Sequence, residues 1–274
     1  HLFRIKHYFK NFIIFTPLLF IEKKIIFHDI SELLIVFVIF CLSASLIYIY
    51  NDIVDQVSDK KHPEKRKIKP LANGQISINH AYKLIVLIFL LISTFLYFKQ
   101  KLIIIILTYI FINYLYTNFF KKIILFDIVI LSSNYPIRVL AGCIGLSIPL
   151  SYWMGATIFS GALFLSALKR KQELLLYGSK SRKVLKFYSI KSLQVLTNIS
   201  SFFSIIFYSS YVISVNNKLI ITIPLVIYGI VRYNYLSLNK KFTDSPIDEI
   251  INDRQNLILI FLWILFVIIA RLYL

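Results

Sequence analysis

The sequence predicts an all-α, polytopic membrane protein with about nine transmembrane helices. Of its 274 residues, 58% are hydrophobic and 16% are charged, and the mean hydropathy is +0.74. An ordinary soluble domain carries about 25% charged residues. The apolar residues form runs long enough to cross a hydrocarbon core of about 30 Å as helices. These runs are continuous Ile, Leu and Phe rather than the alternating pattern of a membrane β-barrel.

Nine apolar runs are predicted to be spanning helices. The first, "NFIIFTPLLF", follows basic residues as a signal peptide would, but no small-residue cleavage site precedes "IEKK", so we interpret it as a short first helix. No Gly/Ser linker or low-complexity tract divides the chain, which predicts one integral domain over residues 1–274. The predicted spans are 11–27, 31–50, 80–98, 101–119, 126–146, 151–168, 190–214, 218–237 and 255–273.

The distribution of basic residues predicts the orientation. If the chain starts on the cytoplasmic side, 23 of the 31 Lys and Arg residues fall in the cytoplasmic loops and the adjoining helix ends. Such an excess of Lys and Arg is typical of cytoplasmic loops. The sequence therefore predicts a multi-pass protein of the inner (cytoplasmic) membrane with its N-terminus and its active site in the cytoplasm.

The segment "NDIVDQVSD" after the second predicted span collects three carboxylates. On a helix that turns about 100° per residue, Asp52, Asp55 and Asp59 lie on one face. Like charges at this spacing repel one another, so a cation is needed to offset them. Oxygen-rich faces suit Mg²⁺, which is usually shared between carboxylates and substrate phosphates. A solvated helix end paired with neighbouring lysines is the structural alternative.

The segment that follows, "KKHPEKRKIKP", is basic. Its Lys65, Arg66 and Lys69 would take up the phosphate oxygens that a metal leaves free, together with the amide of Asn51. Both signs of charge would then serve one polyanionic substrate. This loop is predicted to be a diphosphate site.

The motif NDxxDxxxD in this position resembles that of the UbiA superfamily of intramembrane prenyltransferases. The segment "NDIVDQVSDKKHPEKRKIKPLANGQIS" is most similar to the decaprenyl-phosphate phosphoribosyltransferase branch, and the similarity extends over nearly the whole chain. The resemblance implies nine helices around a cavity that faces the cytoplasm, and it implies Mg²⁺ held by Asp52 and Asp55 with help from Asp59. It also implies a role in cell-envelope biosynthesis.

The loop after the sixth predicted span departs from the usual pattern of that superfamily. Members that prenylate aromatic acceptors carry a second aspartate-rich motif there, whereas this chain reads "LKRKQELLLYGSKSRK". Eight Lys or Arg residues lie between Lys169 and Lys191, against one Glu. A basic loop suits substrates with several phosphates, since each phosphate monoester carries roughly −1.5 to −2 charges at neutral pH. Lys169 and Arg170 are therefore candidate phosphate ligands, and a Lys169–Glu173 helix pair is the structural alternative.

Polar residues also follow one face of the fifth predicted span. Asp127, Asn134 and Arg138 recur at 7 and 11 residues, which returns to nearly the same helical face. Charged residues at membrane depth usually face a bundle interior and are functional candidates. A structural Arg satisfied by backbone carbonyls or by an acid of the second span is the alternative. Lys10 and Asn11, at the start of the first span, are further candidate substrate contacts.

The predicted function is transfer of 5-phosphoribose from phosphoribosyl pyrophosphate to a polyprenyl phosphate, with release of diphosphate. Asn51, Asp52 and Asp55 would be the catalytic residues. Two alternatives share part of the pattern: a prenyltransferase that uses an isoprenoid diphosphate, and a transporter of anionic solutes, although the latter leaves three aspartates at metal spacing unexplained. The membrane and these substrates are the expected partners, nucleic acid is not, and the sequence leaves the oligomeric state open.

Overall fold

Every regular element in the described part of the chain is a helix, which confirms the all-α prediction. In the computed structural model, residues 2–20, 25–61, 63–180, 182–239 and 252–273 are described. A 3₁₀ helix, Ile5–Phe15, comes first. The α-helices are α1 (Pro17–Phe20), α2 (Phe27–Val54), α3 (Gln56–Lys60), α4 (Pro63–Ile68), α5 (Ile78–Phe98), α6 (Ile103–Asn118), α7 (Phe126–Gly145), α8 (Tyr152–Tyr177), α9 (Ile190–Ser214), α10 (Ile223–Asn239) and α11 (Arg254–Tyr273).

Six helices in these residues are long and apolar enough to cross a membrane, so the prediction of an integral, multi-pass membrane protein is confirmed. Two shorter apolar helices, Tyr8–Phe20 and Arg254–Ala270, accompany them. The number nine stays a prediction. The six helices are Phe27–Val54, Ile78–Phe98, Gln100–Asn118, Phe126–Gly145, Ile190–Ser214 and Asn217–Leu238.

Helix α2 is longer than the membrane requires. Its 28 residues extend about 42 Å at 1.5 Å per residue, whereas the hydrocarbon core is about 30 Å thick. Its apolar residues surround the helix on all sides, as expected for a helix that contacts protein and lipid. The surplus length leaves the last turn, with Asn51 and Asp52, free to lie beyond the hydrocarbon.

The chain divides into two compact units. Unit 1 comprises His1–Leu18, Lys23–Phe120 and Ile137–Pro149. In it α2 packs against α5, α6 and the 3₁₀ helix, and the rings of Phe12 and Phe37 lie 5.1 Å apart. The second half of α7 approaches the 3₁₀ helix closely, because a Cβ added at Gly142 would lie 2.3 Å from the carbonyl oxygen of Ile14.

Unit 2 comprises Leu19–Glu22, Lys121–Pro136 and Leu150–Leu274, and its largest packed pair is α8 with α9. One core cluster joins Met154 of α8 to Tyr208, Tyr211 and Val212 of α9 and Val267 of α11. A second cluster packs Phe164 and Leu168 against Tyr233 of α10. The prediction of one domain over residues 1–274 stays a prediction.

The close approach at Gly142 predicts a large effect of a single methyl group. Gly142→Ala should lower the free energy of unfolding by about 1–3 kcal/mol, since the methyl meets a backbone carbonyl that has little room to move. Gly229→Ala is the matched control, because a Cβ there meets nothing within 4 Å. Thermal unfolding in detergent would measure both. Equal stability of the two variants would contradict the close approach.

Candidate functional site

The three predicted carboxylates lie at a junction between two helices, and the hydrogen bonds from Asp55 N–H to the Asn51 carbonyl and from Asp59 N–H to the Asp55 carbonyl span it. Helix α2 ends at Val54, Asp55 adopts φ −90° and ψ 0°, and α3 begins at Gln56. Asp52 and Asp59 are buried, and Asp55 between them is half-buried. The repulsion between carboxylates at this spacing requires a cation between the first and the third.

That cation is the ammonium group of Lys69. Lys69 Nζ lies 2.9 Å from Asp52 Oδ1 and 2.5 Å from Asp59 Oδ2. Arg4 adds a second positive charge, because its Nη2 donates to Asp52 Oδ1 at 2.6 Å. The side chains of Asp52 and Asp59 are 3% and 4% exposed, so both carboxylates depend on these cations to offset the loss of hydration.

A tight turn holds Lys69 in place. The backbone N–H groups of Ala72 and Asn73 both donate to the carbonyl oxygen of Lys69 at 3.0 Å. Gly74 ends the turn with φ 83°, a value that glycine adopts without strain. Gln56 Nε2 donates to the carbonyl oxygen of Leu71 at 3.1 Å and ties the turn to α3. Of the other predicted basic residues, Arg66 is exposed, and the side chain of Lys65 lies outside the described residues.

The 3₁₀ helix runs antiparallel along α2 and is joined to it by polar contacts. Arg4 adopts a left-handed φ of 47°, which is uncommon for a residue other than glycine, and its guanidinium lies 5.0 Å from the centre of the Tyr48 ring. We call the three side-chain contacts the polar ladder. They are Arg4 to Asp52 at 2.6 Å, Tyr8 to Ser45 at 2.6 Å and Asn11 to Cys41 at 3.2 Å.

Arg138 contacts the polar ladder at Asn11, its last member along the 3₁₀ helix. Its Nε donates to Asn11 Oδ1 at 2.8 Å, and its Nη2 donates to the hydroxyl of Tyr109 at 2.9 Å. All three residues are at most 7% exposed. The predicted candidates Asn11 and Arg138 are thus brought together, whereas Lys10 beside them is half-buried. Their role as substrate contacts stays a prediction.

Asp127 belongs to a different network, within unit 2. Its Oδ2 accepts from Arg170 Nε at 2.7 Å, and its Oδ1 accepts from the hydroxyl of Tyr188 at 2.7 Å. Arg170 Nη1 also donates to Glu173 Oε2 at 2.8 Å, and Arg182 contacts the same oxygen at 3.1 Å. Asn134 donates to the carbonyl oxygen of its own helix at residue 130.

This network changes the interpretation of the basic loop. The guanidinium of Arg170 is 2% exposed and contacts the carboxylates of Asp127 and Glu173. A contact between Arg170 and a phosphate stays a prediction, and it would require the guanidinium to leave these two carboxylates. The described ion pairs join Glu173 to Arg170 and Arg182 rather than to Lys169 alone. Lys169, which is half-buried, keeps its place as a candidate.

Three pKa values shift in this region: those of Glu173 and Tyr188, which belong to the network, and that of Lys171, which contacts Gln194 instead. Burial would raise the pKa of the Glu173 carboxyl, but the charge of Arg170, followed by those of Arg182 and Lys169, outweighs it and lowers the pKa. Burial lowers the pKa of the Lys171 ammonium. Burial, followed by the hydrogen bond to Asp127, raises the pKa of the Tyr188 hydroxyl. The carboxyl of Glu173 is therefore an ion, and the hydroxyl of Tyr188 a donor, at neutral pH.

The donor set around Lys69 fits a hard divalent cation. Among the described residues no group of three or more His, Cys, Asp or Glu side chains is arranged to hold a metal ion. Two buried carboxylates nevertheless converge on one cationic group, and Mg²⁺ is commonly held by one or two carboxylates together with substrate phosphates and water. Oxygen is the ligand that it prefers.

Several residues of these networks were not predicted from the sequence. Arg4 was counted only among the basic residues that set the orientation, and Tyr109, Tyr188 and Gln56 carried no pattern at all. Each of them reaches its partner over more than ten residues of sequence. Such contacts leave no periodic signal in the sequence.

Comparisons with known proteins give one consistent result. The model of the UbiA prenyltransferase family matches residues 13–248. The decaprenyl-phosphate phosphoribosyltransferase of Mycolicibacterium smegmatis is 35% identical over 190 residues, which is 67% of this chain and 59% of that protein. The protein of the same name from Corynebacterium glutamicum is 33% identical over 194 residues, 68% of this chain and 58% of that protein. The matched region is thus less than two thirds of the length of these relatives.

Two solved structures share the fold. A UbiA homolog from Archaeoglobus fulgidus bound to DMAPP and Mg²⁺ superposes with a TM-score of 0.72 at 16% identity, and the match covers 100% of this chain and 98% of that one. A digeranylgeranylglyceryl phosphate synthase superposes with a TM-score of 0.68 at 20% identity over 100% of this chain and 97% of that one.

The Asp127–Arg170 pair predicts a strong dependence of stability on Arg170. Arg170→Ala should lower the free energy of unfolding by about 3–5 kcal/mol, because it leaves a buried carboxylate without its cation. Arg182→Ala should cost no more than about 1 kcal/mol, since Arg182 is 39% exposed and contacts only the rim of the network. Unfolding in detergent measures both, and the double variant Asp127→Asn/Arg170→Met should recover part of the loss. A stable Arg170→Ala protein would show that the pair is dispensable.

Proposed function

The chain belongs to the UbiA prenyltransferase family, and we propose that it transfers 5-phosphoribose from phosphoribosyl pyrophosphate to a polyprenyl phosphate. The observation that carries this proposal is the similarity, at 33–35% identity over two thirds of the chain, to proteins named decaprenyl-phosphate phosphoribosyltransferase. In the reaction an oxygen of the acceptor phosphate bonds to C1 of the ribose. The bond from C1 to the diphosphate breaks, and its electron pair leaves with the diphosphate.

The charges of the described residues support this substrate pair. The donor carries a diphosphate and a monophosphate, the acceptor carries another monophosphate, and each monoester contributes roughly −1.5 to −2 charges. One acidic segment at residues 51–59 would serve a metal-bound diphosphate. The basic loop that begins at Lys169 takes the place of a second acidic segment. Such a loop suits a further phosphate better than it suits a second metal ion.

Asp52, Asp55 and Asp59 are the proposed ligands of Mg²⁺. When bound, this ion would neutralise charge on the departing diphosphate and so lower the barrier. The convergence of Asp52 and Asp59 on one ammonium supports the assignment, because the two carboxylates already share a cation. Asn51, which precedes Asp52 in the last turn of α2, is the proposed amide donor to the substrate.

Lys69 is the proposed donor to the diphosphate oxygens. Its ammonium can exchange a carboxylate oxygen for a phosphate oxygen at nearly the same position, since both are strong charge-assisted acceptors. Arg4 would remain with Asp52 and hold that carboxylate in a fixed direction. The acceptor phosphate is already an anion, so the proposed reaction requires no general base. Arg66 and Lys65 would attract the polyanion to the site.

The active site is proposed to face the cytoplasm. The excess of Lys and Arg on the side of residues 51–79 supports this orientation. A cysteine that replaces the exposed Lys67 should react with an impermeant maleimide in inverted vesicles and not in intact cells, whereas one at the exposed Lys218 should behave in the opposite way. The native Cys41 and Cys143 are buried and should stay silent. Labelling of both positions from one side would refute the orientation.

Transfer of an isoprenoid from its diphosphate is the second candidate. The likeness to a fold solved with DMAPP and Mg²⁺ is the observation that favours it. Both reactions release diphosphate, so they share the need for a metal and for Lys69. They differ in the group that is transferred, and one labelling experiment separates them.

The test uses purified protein, Mg²⁺, decaprenyl phosphate and phosphoribosyl pyrophosphate labelled in the ribose. Label should enter the lipid extract, and Asp52→Asn should lower the rate by ten- to more than a hundredfold, as expected for loss of a charged contact worth about 1.5–3 kcal/mol. Asp29→Asn, which alters another buried carboxylate of α2, is the matched control and should retain activity. Label that enters lipid only from geranyl diphosphate with an added acceptor would favour the second candidate instead.

A further inference from the structure

Unit 2 contains an apolar cavity that neither proposed reaction uses. It encloses about 320 Å³ between α8, α9, α10 and α11. Phe164, Leu225, Ile260 and Trp263 contribute apolar side chains to its lining, and Gly229 contributes only backbone. A Cβ built on Gly229 meets nothing within 4 Å, so the space beside α10 is open.

The same cavity is lined by a buried side chain whose amide nitrogen has no hydrogen-bond partner among the described residues. Asn256 is 5% exposed, and no hydrogen-bond partner is found for its Nδ2 among the described residues. Its backbone N–H donates to Asp253 Oδ1 at 2.9 Å, which fixes the first turn of α11. An unpaired buried donor costs about 1–3 kcal/mol. A ligand that supplies an acceptor oxygen would remove this cost.

The charges near Asn256 indicate that the acceptor is neutral. Arg232 Nη2 lies 3.2 and 3.1 Å from the two oxygens of Asp253, so the nearby positive charge is already matched by a negative one. A phosphate at this position would compete with Asp253 for the guanidinium of Arg232, whereas a neutral acceptor would leave that ion pair intact. An ester carbonyl has the required acceptor and carries no charge.

The geometry of the cavity indicates what carries that carbonyl. Asn256 and Trp263 lie seven residues apart on α11, which is about 10 Å along the helix, and the lining between them is apolar. Leu257 and Ile260 on this helix are 44% and 43% exposed, as expected for a surface in contact with lipid. The ligand that fits this lining has an acceptor oxygen beside Asn256 and a hydrocarbon chain that extends towards Trp263. An ester-linked acyl chain has both.

We propose that this cavity binds one acyl chain of a membrane glycerolipid, whose ester carbonyl accepts a hydrogen bond from Asn256 Nδ2. The site is distinct from the proposed transfer site, because none of the residues that line it is a proposed substrate contact. A polyprenyl phosphate would fit less well, since its chain is joined to a charged phosphate rather than to a neutral carboxylic ester.

Trp263 provides the reporter for a binding experiment. The chain has two tryptophans, so Trp153→Phe leaves Trp263 as the only one. The protein in detergent is titrated with phosphatidylcholine whose acyl chains carry bromine atoms, which quench nearby indole fluorescence. The expected result is quenching that saturates. Gly229→Leu should fill the cavity and weaken the binding at least tenfold, and Asn256→Leu should weaken it about three- to tenfold through loss of one hydrogen bond.

Two control variants separate filling of the cavity from other effects. Gly229→Ala gives α10 a better helix former without filling the space, and Val231→Leu adds volume at a position that is 56% exposed. Both should bind as the parent does. Quenching that never saturates, or that is unchanged in both Gly229→Leu and Asn256→Leu, would overturn the proposal. Displacement of the brominated lipid by decaprenyl phosphate at lower concentration than by phosphatidylcholine would assign the cavity to a prenyl chain instead.

Discussion

The ammonium group of Lys69 between Asp52 and Asp59 is the interaction on which the rest of the acidic segment depends. Two carboxylates with side chains 3% and 4% exposed repel each other and lose most of their hydration, and the shared cation offsets both costs. The junction at Asp55 brings the second carboxylate to that cation, and the turn that ends at Gly74 brings the cation to both. Arg4 completes the balance from the start of the chain. A site whose charges are balanced in this way can hold a polyanion together with its metal ion. The metal ion can replace the ammonium group beside the carboxylates, and phosphate oxygens can replace the carboxylates beside the ammonium group.

The sequence predicted the helices and the acidic segment, but not the contacts between their side chains. The hydropathy of the long runs and the spacing of Asp52, Asp55 and Asp59 were sufficient for the helical membrane fold and for the acidic segment, since both are local properties. The shared face of Asp127, Asn134 and Arg138 indicated that this helix has polar partners but not which ones, because residues on one face of a helix can pair with different neighbours. Asp127 pairs with Arg170, and Arg138 with Asn11 and Tyr109. Partners of that kind are chosen by packing between helices, which periodicity does not encode.

The buried charges of the two units differ in how far solvent can reach their cationic side chains. In unit 2 the Asp127–Arg170–Glu173 network is almost inaccessible to solvent. The guanidinium of Arg170 donates to both carboxylates, and Tyr188 donates to Asp127. Such a network fixes the end of α8 relative to the start of α7. In unit 1 the side chains of Lys69 and Arg4 are 18% and 24% exposed, so the charges there remain within reach of solutes. Burial therefore distinguishes a structural cluster from one that can exchange partners, even though the residue types are the same.

The polar ladder depends on a match of two helical rises. Arg4 and Asn11 are seven residues apart, or about 14 Å at the 2.0 Å rise of a 3₁₀ helix. Their partners Asp52 and Cys41 are eleven residues apart, or about 16 Å at the 1.5 Å rise of an α-helix. The same seven residues wound as an α-helix would cover only about 10 Å, about 6 Å less than the distance between their partners. The tighter winding of Ile5–Phe15 therefore matches the spacing of the two end contacts. It links the Asn11–Arg138 hydrogen bond to the Arg4–Asp52 ion pair through one short helix.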